Sequence, residues 1–162
     1  MVLQLALLLA ILATGLISGF FYAYSCSVNT GLGRLNDAVY LKAMQSINRA
    51  VLNPLFFLTF FGTLVLLPVV TWLEFRLVGT TNTFYGLLVS SLLYFFGVFL
   101  VTAMGNVPLN DALAQFDIEA ATEADIRQQR LAFEGPWNRF HLIRSVFNAL
   151  AFAGAVWAGL QA

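Results

Sequence analysis

The sequence predicts an all-α integral membrane protein, a four-helix bundle with short amphipathic helices in its first and third connections. Three observations carry that prediction. The 162 residues are 60% hydrophobic and only 10% charged, against about 25% charged in an ordinary soluble domain, and the mean hydropathy is +0.82. Four separate runs are apolar for long enough to cross a hydrocarbon core, which takes about 20 residues. None of them alternates polar and apolar as a barrel strand does, so helices must satisfy the backbone in lipid.

The first run covers residues 2–24 and ends before the first charge, Arg34. It has no positive start and exceeds a signal-peptide core of about 7–15 residues, so it reads as a retained helix. Gly15 and Gly19 within it have the G-x-x-x-G spacing used for close helix packing. Thr14, Ser18, Tyr22 and Ser25 fall at helical spacings beside them. They either line an interior polar track or bond back to their own helix. The second run, residues 54–73, opens at Asn53-Pro54, a capping residue ahead of a proline suited to the first helical position. The polar turn Gly79 to Thr83 leads to the third run, residues 84–105, as turn chemistry requires. The fourth, residues 137–160, follows Gly135-Pro136, which is expected to break the chain. Trp72, Trp137 and Trp157 stand near run ends, where interfacial indoles are expected. With no linker or low-complexity stretch, residues 1–162 read as a single transmembrane domain.

The connections are amphipathic. From Ala38 to Leu52, residues Leu41, Met44, Ile47, Val51 and Leu52 form an apolar helical face. In the third connection Leu109, Leu113 and Phe116 have partial helical spacing. Asp117, Glu119, Glu123, Asp125, Arg127 and Arg130 then form a solvated stretch, and Thr122 with Asp125 three residues on marks a helix start. Arg34, Lys42, Arg49, Arg127 and Arg130 lie in connections one and three, and only Arg76 lies in the second. The positive-inside rule therefore places connections one and three in the cytoplasm and both termini outside, as in a bacterial inner membrane.

Several functions are unsupported. Lys plus Arg is 8 and Asp plus Glu is 8, so a nucleic-acid partner has no electrostatic basis. The single cysteine, Cys26, excludes an intrachain disulfide and reads as a small buried hydrophobe near a helix end. One histidine without a second ligand in H-x-x-x-H spacing does not make a metal site, and neither phosphate-binding glycine loop nor nucleophile elbow is present.

The anomaly is the opening of the fourth run. Trp137, His141, Arg144 and Asn148 are four, three and four residues apart, which lines one helical face. Asn138 borders that face. An arginine at this depth must face the bundle or snorkel. In the third run Asn106 and Asn110 flank Pro108, which marks a helix end or restart and frees groups that either bind a polar ligand or cap the break. Gln45 and Asn48, on the same side, can close over the cluster. A neutral imidazole suits a general base, and a guanidinium with amides suits a developing oxyanion. The aromatic surroundings suit a flat apolar molecule arriving from lipid.

The segments Gly19-Phe20-Phe21-Tyr22, Met44 to Asn48, Asn53-Pro54, Gly105 to Asn110 and Trp137 to Arg144 together resemble a family of small four-helix membrane proteins that includes the anthrone oxygenases. The resemblance runs over nearly the whole chain, and the last two segments are specific as a pair. It implies a cofactor-independent oxygenase, needing neither metal nor flavin, that converts an anthrone or another activated aromatic to a quinone with molecular oxygen. The motif histidine and tryptophan would be His141 and Trp137, with Arg144 completing the catalytic set. Asn106, Asn110, Asn48, Gln45, Asn138, Tyr22 and Asn148 would bind the substrate. The family's threonine after the final arginine is Ser145 here, which keeps the hydroxyl. Two other readings stay open: a non-enzymatic structural or small-ligand-binding membrane protein, and a transporter subunit made competent by homo-oligomerisation. Loss of the cluster would unfold the former without altering chemistry, and solute flux across liposomes would reveal the latter.

Overall fold

The computed structural model describes all 162 residues, Met1–Ala162. It contains five helices and no strand: α1 (Val2–Leu32), α2 (Asp37–Ala50), α3 (Pro54–Leu77), α4 (Asn82–Gln115) and α5 (Glu123–Gln161). The four long ones are apolar enough to span a bilayer, and the protein is an integral, multi-pass membrane protein. They form a ring in which α1 packs on α3 and α5, and α4 packs on α3 and α5. Between 22% and 33% of the most apolar window of each span is buried. The remaining faces, with Leu12, Leu58, Phe96 and Val146 exposed, present hydrocarbon to lipid.

Local chemistry sets the helix starts. Asn53 Oδ1 accepts from the backbone N–H groups of Leu55 and Phe56, Thr81 Oγ1 accepts from Phe84, and Asn36 Oδ1 accepts from Val39 at the head of α2. Each satisfies donors that a helix terminus leaves orphaned. Thr122 and Asp125 form a reciprocal capping box at the head of α5, where the sequence places a helix start.

Pro136 departs from the sequence expectation, whereas Pro108 meets one of its two alternatives. Gly135-Pro136 does not break the chain, because α5 runs unbroken through Pro136. A proline inside a helix costs about 3 kcal/mol. Here the helix is already capped at Thr122, and Phe133 and Trp137 are buried on either side of the proline, so packing outweighs the local defect. Pro108 marks a restart, one of the two alternatives read from the sequence, and not the end of α4. It sits in the first turn of an α-helical stretch, Val107–Gln115, that follows a widened π-helical stretch, Thr102–Asn106. Such a turn relieves the crowding that proline's ring creates with the preceding carbonyl. The amphipathic stretch expected at Leu109 to Phe116 is therefore the protruding end of α4. Wider π-helical turns also occur at Tyr24–Val28 in α1 and Leu93–Leu100 in α4.

Three smaller expectations are corrected. Cys26 is exposed within α1, not buried near a helix end, since its turn faces outward. Gly15 and Gly19 do not make a paired contact. An added Cβ at Gly15 would fall 2.9 Å from Phe152, whereas at Gly19 it would meet nothing within 4 Å. Trp137 is not an interfacial indole. It is buried, because its face of α5 turns inward, while Trp72 and Trp157 are exposed as expected.

At the loop end of the bundle, α2 lies against α5 and the end of α4. Arg130 fastens this cap. Its guanidinium donates to Asp37 (2.9 Å), Glu134 (2.8 Å) and the carbonyls of Leu35 and Gly33, and it lies 4.4 Å from the centre of the Tyr40 ring. Burial of Tyr40 raises its phenol pKa, with Glu134 acting in the same direction.

Candidate functional site

The face of α5 bearing Trp137, His141, Arg144 and Asn148 turns into the bundle, and all four side chains are buried. His141 is 2% exposed and Arg144 7%. The Trp137 indole stacks on the imidazole at 5.2 Å with 12° between planes. Phe21 of α1 meets the imidazole edge-on at 5.9 Å, and Tyr24 packs at 5.8 Å.

The partners of the imidazole assign its tautomer. Arg144 Nε and Nη2 lie 3.4 and 3.3 Å from His141 Nδ1. A guanidinium only donates, so Nδ1 is the acceptor and the neutral ring carries its proton on Nε2. On that edge Ser25 Oγ lies at 3.0 Å and Ser145 Oγ at 3.3 Å. Both hydroxyls donate to backbone carbonyls, Ser25 to Phe21 and Ser145 to His141. They thus offer lone pairs to Nε2–H, and the ring is held from both edges.

Arg144 has no acidic partner. The three ion pairs of the protein are Lys42–Glu119, Arg130–Asp37 and Arg130–Glu134, all in the loop-end cap. Its guanidinium sits 4.5 Å from the Phe21 ring centre and 5.2 Å from that of Trp137, and Nη1 reaches Thr102 Oγ1 only at 3.5 Å. Close by in the same interior, Asn148 is fully buried with neither Nδ2 nor Oδ1 hydrogen-bonded, and the Asn106 Oδ1 is likewise without a partner. Buried charges and amides are ordinarily paired, because an unpaired one costs several kcal/mol for a charge and about 1–3 kcal/mol for an amide group. Of these open groups the guanidinium and Asn148 Nδ2 are donors that suit an oxyanion, while Asn106 Oδ1 and Asn148 Oδ1 are acceptors that suit a hydroxyl group.

The other expected residues divide. Asn110 Oδ1 accepts from both Trp137 Nε1 (2.9 Å) and Asn48 Nδ2 (3.0 Å), so α2, α4 and α5 meet at one oxygen that orients the indole under His141. Asn106 Nδ2 donates to the Trp137 carbonyl at 3.2 Å. Gln45 is away from the cluster, donating to the carbonyls of Leu113 and Phe116, where it caps the end of α4. Tyr22 is 70% exposed. The buried row of α1 is Thr14, Ile17 and Phe21, and Tyr22 lies one position, about 100°, off it. Asn138 is half-buried beside the face, without a side-chain hydrogen bond. Thr14 bonds back to the Ala10 carbonyl. Phe21, Tyr24 and Thr102 join the cluster without having been singled out. The signal for the first two was the continuation of that buried row into the turn holding Ser25.

A model of the anthrone oxygenase family matches residues 56–154. The chain belongs to that family. No curated protein and no solved structure matches the chain. The matched region of this anthrone oxygenase family member holds Asn106, Asn110, Trp137, His141, Arg144 and Asn148, whereas Phe21, Tyr24, Ser25 and Asn48 precede it. No group of three His, Cys, Asp or Glu side chains gathers anywhere in the chain.

Proposed function

We propose that the protein is a cofactor-independent oxygenase acting on an anthrone-like, activated aromatic substrate. The observation that carries this is the buried Arg144 guanidinium, which has no counter-charge and rests on His141 Nδ1, in an interior that also holds the unpartnered Asn106 Oδ1 and Asn148 amide. At rest the arginine masks the lone pair of the base. An incoming carbonyl oxygen draws the guanidinium away, and the same movement frees Nδ1. His141 then takes a proton from the ring methylene, whose C–H bond is acidified by the flanking aryl rings and the carbonyl across the ring. The electron pair spreads onto that oxygen, which Arg144 and Asn148 Nδ2 hold as an enolate. Asn106 Oδ1 accepts from a phenol hydroxyl. The carbanion passes one electron to molecular oxygen, and the radical pair combines to form the C–O bond. The proton held by the imidazolium goes to the peroxide, and loss of water, taking the second methylene hydrogen as a proton, leaves the second carbonyl. One CH2 and one O2 become one C=O and one H2O. Trp137, oriented by Asn110 and Asn48, fixes the imidazole plane.

The distribution of basic residues favours a cytoplasmic position for the end bearing this cluster, with both termini outside. Purified protein in detergent should consume oxygen one-for-one with quinone formed, and a chelator should not change the rate. Normal turnover by His141→Ala would remove the role given to the histidine. A second reading is favoured by one observation: both imidazole nitrogens already have protein partners. In that case the cluster only bridges helices, His141→Ala lowers the melting temperature, and no anthrone is oxidised by the wild type.

A further inference from the structure

The catalytic reading leaves open where a substrate sits, and two hollows flank α1 along the half that carries Phe20 to Ser25. One, of about 440 Å3, lies between α1, α2 and α3. The other, of about 490 Å3, lies between α1 and α5. Both fall within the range of about 300–1,000 Å3 in which small-molecule sites occur. Their walls differ. The first is bounded by Phe20, Tyr24 and Phe56, with Phe20 centred 5.1 Å from Tyr24 and 5.5 Å from Phe56. The three rings touch one another in tilted pairs and so make one continuous aromatic wall. Ile47, on the apolar side of α2, and Val51 just after it also line the hollow. It contains no charged side chain, and the Asn53 amide is already spent on backbone groups of its own turn. Tyr24, in its wall, also packs on His141 and Trp137, so one ring is shared by the pocket and the cluster.

The second hollow is lined by Gly15, Ser18, Gly19 and Tyr22. It ends at Ser25 and Ser145, on the Nε2 edge of His141, where the serine hydroxyl protons and the ring proton are already committed. The open polar atoms belong to the Arg144 side of the cluster.

We infer that the aromatic pocket between α1, α2 and α3 is the seat of a flat, lipid-soluble polycyclic phenol, held with its oxygenated edge toward Tyr24 and α2 closing over it at the membrane surface. This rests on the oxygenase reading for what happens to the molecule, but binding can be measured apart from turnover.

The probe is 1,8-dihydroxyanthraquinone, which is coloured and needs no oxygen, titrated into purified protein in detergent micelles by equilibrium dialysis. Thr59→Phe and Ile47→Trp fill the pocket, and Phe20→Leu removes an aromatic wall while keeping it apolar. Gly19→Leu fills the other hollow, where the structure offers open space. The three pocket variants should bind about tenfold more weakly, a factor equal to about 1.4 kcal/mol, and Gly19→Leu should bind as the wild type does. Each variant is checked for elution position and melting temperature. If a filling variant fails to fold, Phe20→Leu decides. Loss of binding in Gly19→Leu with retention in the pocket variants would move the seat to the α1–α5 hollow and overturn the inference, as would equal binding by all or none by the wild type. Binding without anthrone oxidation would keep the pocket and remove the oxygenase. Oxidation with an unchanged KM in the filled variants would do the reverse.

Discussion

Replacing Arg144 by methionine should make the protein more stable and, on the proposed mechanism, inactive. Methionine has similar reach, is apolar and fits irregular gaps. The substitution removes a buried cation without a counter-charge, whose effective penalty in a protein is several kcal/mol. Against that stand the interactions lost. Contacts to the Phe21 and Trp137 rings, at 4.5 and 5.2 Å, contribute roughly 1 kcal/mol each. The long hydrogen bonds to His141 Nδ1, at 3.3 and 3.4 Å, contribute about 1 kcal/mol. The balance favours methionine by about 1 kcal/mol, which raises the melting temperature by about 2–4 °C for a chain of this size. The assay is a thermal melt in detergent, run beside anthrone turnover. An arginine that served to bridge helices would give the opposite sign. A melting temperature lowered by several degrees would show that Arg144 is retained for folding, and it would refute the argument from missing counter-charge. The combined expectation, more stable and inactive, is the trade-off of a site whose strain is kept for function.

Asn110→Ala should destabilise the protein by about 2 kcal/mol, since Trp137 Nε1 and Asn48 Nδ2 both lose their acceptor and each orphaned group costs about 1–3 kcal/mol when buried; Asn48→Ala leaves the indole bonded and should cost less, as paired melts in one detergent would show. Gly97→Ala should be poorly tolerated, because its Cβ would land within the Phe147 ring and overpacking costs about 1–3 kcal/mol. Gly19→Ala has open space and should be neutral or better by up to about 1 kcal/mol. Arg130→Met removes three polar contacts to the segment Gly33 to Asp37 and should raise protease sensitivity there, with cleavage mapped by mass spectrometry, while leaving the spans intact.

The spans were legible because lipid demands length and apolarity above all else, and both are visible in one dimension. The cluster face was legible for the same reason that α5 carries it: Trp137, His141, Arg144 and Asn148 lie on regular α-turns, where spacing maps directly onto direction. Legibility failed where turns are not regular or where packing outweighs local preference. Thr102 lies in a π-helical stretch, where the spacing rule no longer predicts direction. Pro136 looked like a break because a proline's cost is local and readable, while the burial of Phe133 and Trp137 around it is not. Gln45 and Tyr22 looked like site residues by side and spacing. The first was claimed by the end of α4 and the second fell one position off the buried row of α1. The open valences of Asn106 and Asn148 could not be read from sequence at all, since they are defined by partners that are missing.

The seam between α4 and α5 has a consequence for how the molecule moves. Phe140 sits where a side chain on Gly105 would be, Phe147 does the same at Gly97, and Trp157 lies over Gly86. On the reverse side of the seam, Gly154 admits the Ser90 hydroxyl. These are teeth in sockets over much of the length of a helix about 58 Å long. Sliding α5 past α4 by even a fraction of a turn would drive every tooth into a wall at once. The seam is therefore fixed in register, and α1 is keyed to the same helix, where Phe152 lies against Gly15 and Ile11 against Gly159. Locked on both sides, α5 can neither slide nor turn without unpacking two seams, so the face bearing Trp137, His141, Arg144 and Asn148 is held in one position against α1 and α4.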